Sequence, residues 1–119
     1  MGYKLYIDDE RPLPASQSDF VLARSYHEAI DIIEERGLPE FISFDYYLDR
    51  NFTGLDVAMW LVVHCEYHNL ELNFTYKCHS SDRDAAKRLI RFLDEHVKRS
   101  QESLIKEDKW IVDKEDVIG

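Results

Sequence analysis

Two strand-like runs in this chain end on acids, and that pattern limits the fold more than any other feature. Tyr3-Lys4-Leu5-Tyr6-Ile7 has the aromatic and branched character of a buried strand and stops at Asp8-Asp9-Glu10-Arg11-Pro12. Phe41-Ile42-Ser43-Phe44 repeats the arrangement, with Asp45 at its end. Between them, after a loop carrying Pro12 and Pro14, Phe20-Val21-Leu22-Ala23 reads as a second short strand. Ser25 and Glu28 then form a capping box for a helix that turns Ala29, Ile32 and Ile33 to one side and halts at Gly37 and Pro39.

The second half keeps this rhythm. Thr53 and Asp56 are spaced to cap a helix whose Leu55, Ala58, Leu61, Val62 and Cys65 form an apolar stripe. Leu72 to Cys78 reads as a fourth strand, ending at His79-Ser80-Ser81. Ser81 is placed to cap a last helix with Ala86, Leu89, Ile90, Leu93 and Val97 facing inward. Strands alternating with helices predict an α/β fold, a mostly parallel sheet of four or five strands with helices on both faces. Within 119 residues this is one domain, expected over residues 1–99. Residues 100–119 form a charged extension, broken by Trp110-Ile111-Val112 as an edge strand or docking segment.

In a parallel sheet, ligands bind beyond the carboxyl ends of the strands. Asp8, Asp9 and Asp45 therefore fall along one edge with the His79-Ser80-Ser81 corner. A single strand-end acid is most simply a solvated or capping residue. Three gathered at one edge repel each other unless a cation intervenes, and an all-oxygen site with room for water and phosphate suits Mg²⁺ or Mn²⁺. Ser80 and Ser81 are placed to meet that phosphate, with Arg83 and Lys87 one helical turn apart behind them. A weaker constellation is His64, Cys65 and His68 with Cys78 and His79, which lacks the spacing of a zinc motif.

Charge narrows the partners. A net charge of -9 argues against broad DNA binding, while the basic excess from Lys77 to Arg99 leaves room for a phosphorylated small molecule. No apolar run reaches membrane-spanning length, no export signal is evident, and Cys65 and Cys78 are expected to remain thiols, so the expected compartment is the cytoplasm.

Leu5-Tyr6-Ile7-Asp8-Asp9-Glu10-Arg11-Pro12, Ser43-Phe44-Asp45-Tyr46-Tyr47-Leu48, Thr53-Gly54-Leu55-Asp56-Val57-Ala58 and His79-Ser80 together resemble the cyclic-phosphate-processing receiver domain. This family is a compact relative of response-regulator receivers found in bacterial and phage genomes. The resemblance implies a flavodoxin-like fold, Asp8 and Asp9 as the metal-binding pair, Asp45 as phospho-acceptor or metal ligand, and Ser80 as the hydroxyl closing on phosphate. It also implies a metal-dependent phosphoesterase acting on cyclic phosphate ends of RNA or nucleotides. Three departures stand beside it. Only the short Glu10 to Asp19 loop joins the first two strands, no Lys-Pro follows the last, and Asp45-Tyr46-Tyr47-Leu48 stands where the family commonly has Asp-His-Asp-Leu. Two further readings follow: a non-catalytic receiver-like module whose acidic surface engages a partner protein, favoured by Tyr46 and Tyr47 expected exposed beside the pocket, and a phospho-accepting receiver.

Overall fold

The computed structural model describes residues 2–102, with side chains through Val97. Four strands, β1 (Lys4–Ile7), β2 (Val21–Ala23), β3 (Phe41–Phe44) and β4 (Thr75–Cys78), form one sheet in the order β2-β1-β3-β4, with every neighbour parallel. The helices are α1 (Tyr26–Arg36), α2 (Gly54–His68) and α3 (Arg83–Glu102), and a 3-10 turn (Ala15–Gln17) lies in the β1–β2 loop. The mostly parallel α/β sheet expected from the sequence is present. The Trp110-Ile111-Val112 segment lies outside the described residues, and α3 itself runs beyond the expected boundary at residue 99.

Local signals explain the helix ends. Ser25 Oγ accepts from the Glu28 amide, and Glu28 reaches back to the Arg24 amide. Thr53 and Asp56 complete a reciprocal capping box. Gly37 ends α1 at φ 90, a conformation that penalises any side chain, and Asn69 ends α2 in the left-handed region. At α3 the cap is Asp82, whose Oδ1 accepts from the Ala85 amide, and not Ser81. Ser80, Ser81 and Asp82 are all competent caps, and the fold selects the last. The fourth strand also starts later than expected: Leu72 and Phe74 are buried, but ladder pairing begins at Thr75.

The two faces of the sheet differ. Leu5, Ile7, Ile42, Phe44 and Ala23 point one way and join Ala29 and Ile33 of α1, Leu61 and Cys65 of α2, and Leu89 and Leu93 of α3 in a single apolar cluster. All three described helices thus cover one face, not both as the sequence suggested. Connection handedness supplies the reason. The steps β2 to β3 and β3 to β4 run in one direction across the sheet and β1 to β2 in the other, so right-handed crossovers place α1 and α2 together and the β1–β2 connection opposite. That connection is a loop, and it leaves Leu22 and Phe41 half-buried and Lys4, Thr75 and Lys77 exposed.

Candidate functional site

Side chains alternate along a strand, and register carries that alternation across the sheet. Tyr6, Ser43 and Lys77 are paired across neighbouring strands and share the loop-covered face. Two residues further on, Asp8, Asp45 and His79 extend the same row past the strand ends. Backbone bonds from Asp8 N to Ala23 O, Asp45 N to Ile7 O and His79 N to Phe44 O continue the ladder and hold them level. One ligand atom from each of the three lies within 4.8 Å of the others.

Asp8 is the fixed point. Its side chain is 1% exposed, yet both oxygens are occupied. Oδ1 accepts from the Glu10 and Arg11 amides at 2.9 Å each, and Oδ2 meets His79 Nε2 at 2.9 Å. Arg11 Nη1 lies 3.6 Å from the same oxygen and donates to His79 O at 3.3 Å. Burial pushes the Asp8 carboxyl up, but the two amide bonds and the His79 contact outweigh it and hold the group below the ordinary carboxylate range. Arg24 clamps the loop from outside, donating to Asp8 O at 3.2 Å and to Arg11 O at 2.8 Å.

Asp45 behaves oppositely: burial, then the charge on Asp8, push its carboxyl up. His79 is held down by burial, against the opposing pull of Asp8 and Asp45. Its ring stacks on Tyr6, with centroids 4.5 Å apart, and its Nδ1 lies 2.8 Å from Ser43 Oγ. Ser43 is 0% exposed, a hydroxyl buried mid-strand beneath the site. Gly54, at the start of α2, donates to Tyr46 O, and a Cβ at this position would lie 2.1 Å from Asp45 O.

Of the residues singled out in the sequence, Asp8 and Asp45 come together; Asp9 is exposed and outside the three-residue group. Asp8 continues the row of β1 one residue past the strand, whereas Asp9 follows at a bend and is exposed. Ser80 is half-buried, with its Oγ accepting from the Asp82 amide at 3.3 Å, while Ser81, Arg83 and Lys87 are exposed. Lys87 shares a shallow groove on α3 with Ile90, Arg91 and Asp94. His64 and His68 pack ring to ring along α2, and no metal-competent group among the described residues joins them to the cysteines. Tyr46 corrects another expectation. It is buried, with the Arg88 guanidinium over its ring, while Tyr47 is 53% exposed and donates to Asp82 Oδ2 at 2.9 Å.

Sequence reasoning missed Arg11, Arg24 and Ser43 as site residues, and it divided His79 between two constellations. Strand parity applied to Tyr6 and Ser43 was the available signal.

A parallel sheet with an acid-and-imidazole cluster at its carboxyl edge defines the class of protein. Residues 3–95 match the cyclic-phosphate processing receiver domain, and the chain belongs to that family. Among solved structures it is similar to NtrX from Brucella abortus, at 17% identity and a TM-score of 0.42, covering 87% of this chain and 28% of NtrX. It is also similar to a chain in which the yeast Spc42 trimeric coiled coil, amino acids 181–211, is fused to another structure, at 12% identity and a TM-score of 0.46, covering 90% and 85% of the two chains. No curated protein matches it. No described helix is long and apolar enough to cross a membrane.

Proposed function

We propose that this domain binds a divalent cation through Asp8, Asp45 and His79 and uses the site to bind and process a cyclic phosphate end of RNA or of a nucleotide. The observation that carries the reading is the convergence of those three donors within 4.8 Å at the carboxyl edge. The donor set suits a cation on electrostatic grounds, since Asp8 is stabilised as an anion while Asp45, beside it, is pushed toward the neutral form. The imidazole favours Mn²⁺ over Mg²⁺, which prefers oxygen alone.

A cation bound there supplies polarisation of a phosphoryl oxygen. The chain does the rest. Arg11, with its side chain 49% exposed, turns its remaining N–H donors toward the phosphate. Ser80 orients the ester, and Ser81, Arg83 and Lys87 at the start of α3 add positive potential around it. Asp45, whose carboxyl is pushed up by burial and then by the charge on Asp8, is the proposed catalytic carboxylate, and Asp9 is a further oxygen donor at the rim. Cys65 and Cys78 are unpaired, in keeping with a cytoplasmic setting.

Thermal unfolding with added Mn²⁺ and Mg²⁺ tests the first step. Wild type is expected to gain stability, more with Mn²⁺, and Asp45→Asn to lose the gain. An oligoribonucleotide ending in a 2′,3′-cyclic phosphate then tests the second, with conversion to an open monophosphate expected only when metal is present. Metal binding without turnover would favour a second reading, a partner-binding module. That reading is supported by Tyr47, an exposed aromatic held beside the site by Asp82.

A further inference from the structure

The carboxyl edge of the sheet also carries an aromatic side chain that takes no part in the three-donor cluster. Tyr47 is 53% exposed, yet it is fixed at three points. Its backbone pairs with Thr53 in an isolated bridge, flanked by bonds from Gly54 N to Tyr46 O and from Leu48 N to Phe52 O. Its ring meets the ring of Tyr46 at an angle, with centroids 4.9 Å apart, and Tyr46 is itself buried beneath the Arg88 guanidinium. Its hydroxyl donates to Asp82 Oδ2 at 2.9 Å. Asp82 is held in turn, with its Oδ1 capping α3 and its amide donating to Ser80 Oγ.

Those ties set where the ring lies. Tyr47 follows Asp45 by two residues, a span of at most about 7 Å, and Asp82 follows His79 by three. The side chain therefore runs from the loop after β3 to the loop after β4, the two loops that bring Asp45 and His79 to the cluster. These contacts occupy the hydroxyl and one side of the ring, and the remainder is open to solvent. Tyr67 is more exposed, at 83%, but it lies near the far end of α2, a helix that starts beside Asp45.

We propose that Tyr47 is a stacking platform for the base of a bound nucleotide, so that the ligand class is a nucleoside phosphate and not a phosphate ester at large. This deepens the cyclic-phosphate reading above and rests on it. In a nucleotide the base stands one sugar away from the 2′ and 3′ oxygens, and Tyr47 stands one short loop step away from Asp45. Every base has a π-face, so an aromatic ring adds affinity without choosing among bases. A ring already immobilised in the free domain gives up little freedom when the ligand arrives. The chain's net charge of -9 also makes such a contact valuable, since an acidic protein gains little from the phosphates of a nucleic-acid backbone.

Binding is read without turnover by using the open 3′-monophosphates of adenosine and of methyl ribofuranoside, which share sugar and phosphate and differ in the base. Calorimetric titration of the full-length protein with Mn²⁺ present is expected to give about tenfold tighter binding of the adenosine compound. Tyr47→Leu should abolish that difference while binding the base-free compound as wild type does. Tyr47→Phe keeps the ring and loses the bond to Asp82, so it should retain most of the preference. Equal affinity of wild type for the two compounds would overturn the stacking role and leave the phosphate reading standing. That comparison needs no variant, so it decides the matter even if Tyr47→Leu does not fold. A loss in Tyr47→Leu that is the same for both compounds would also overturn the proposal, making Tyr47 a tie between loops and nothing more. Binding of neither compound would remove the phosphate reading, and the stacking role with it.

Discussion

The two faces of this sheet are made from the same four strands yet obey different rules. On the helix side Leu5, Ile7, Ile42 and Phe44 are sealed under α1, α2 and α3. On the other side Tyr6 and Ser43 are buried but Lys4, Thr75 and Lys77 are exposed, and cover comes from the β1–β2 loop. Parallel sheets are ordinarily covered on both faces. Here one face holds the fold together, and the carboxyl end of the other carries the candidate site, the two separated by the parity of residues along each strand.

The sharpest way to break the comparison is to cut equally into both faces. Phe44→Ala on the sealed side is expected to cost about 3–5 kcal/mol in denaturant unfolding. A loss under about 1 kcal/mol would mean that the sealed face is not the structural one. Ser43→Ala, one residue earlier and on the opposite face, should cost about 1–3 kcal/mol by leaving His79 Nδ1 without its partner. It should also weaken Mn²⁺ binding by roughly tenfold or more, because His79 is no longer steered. Calorimetric titration with unchanged affinity would count against Ser43 as a positioning residue.

Acid provides a gentler test. The folded Asp8 carboxyl lies below its unfolded-state value, so the stability it contributes is complete above the unfolded value and is lost as pH falls through the folded one. Urea midpoints of wild type should therefore decline as pH drops through the carboxylate range, and Asp8→Asn should flatten that decline. Smallest of all, Lys77→Ala on the exposed part of the site face should change stability by no more than about 0.5 kcal/mol. A larger loss would show that the open face is packed against something.

Much of the sealed face was legible in the sequence. The apolar runs of β1 and β3, the Thr53–Asp56 capping box and the Leu89–Leu93–Val97 stripe each carry a local signal that survives into the structure. The site was legible in part. Asp8 and Asp45 announce themselves as acids closing a strand, but two adjacent aspartates look alike until the strand's facing is known. His79 follows a run in which burial and pairing diverge: Leu72 and Phe74 read as strand because they are apolar, although they pack without joining the ladder. Without the Phe44–Cys78 register, the side of the sheet to which His79 belongs stayed open. Arg11 and Arg24 act through loop carbonyls, which no periodicity reports.

Gly54 carries a further consequence. Because even one carbon there would run into Asp45 O, the docking of α2 and the width of the acidic pocket share a single tolerance. A substitution at 54 that pushes the helix outward also displaces a carboxylate from the cluster, so the pocket cannot be reshaped through this loop without moving a core helix. For anyone redesigning the site, the adjustable part is the exposed stretch Asp9–Arg11 that follows the fixed Asp8. Its anchors are hydrogen bonds to loop backbone and to His79, and the helices can stay where they are.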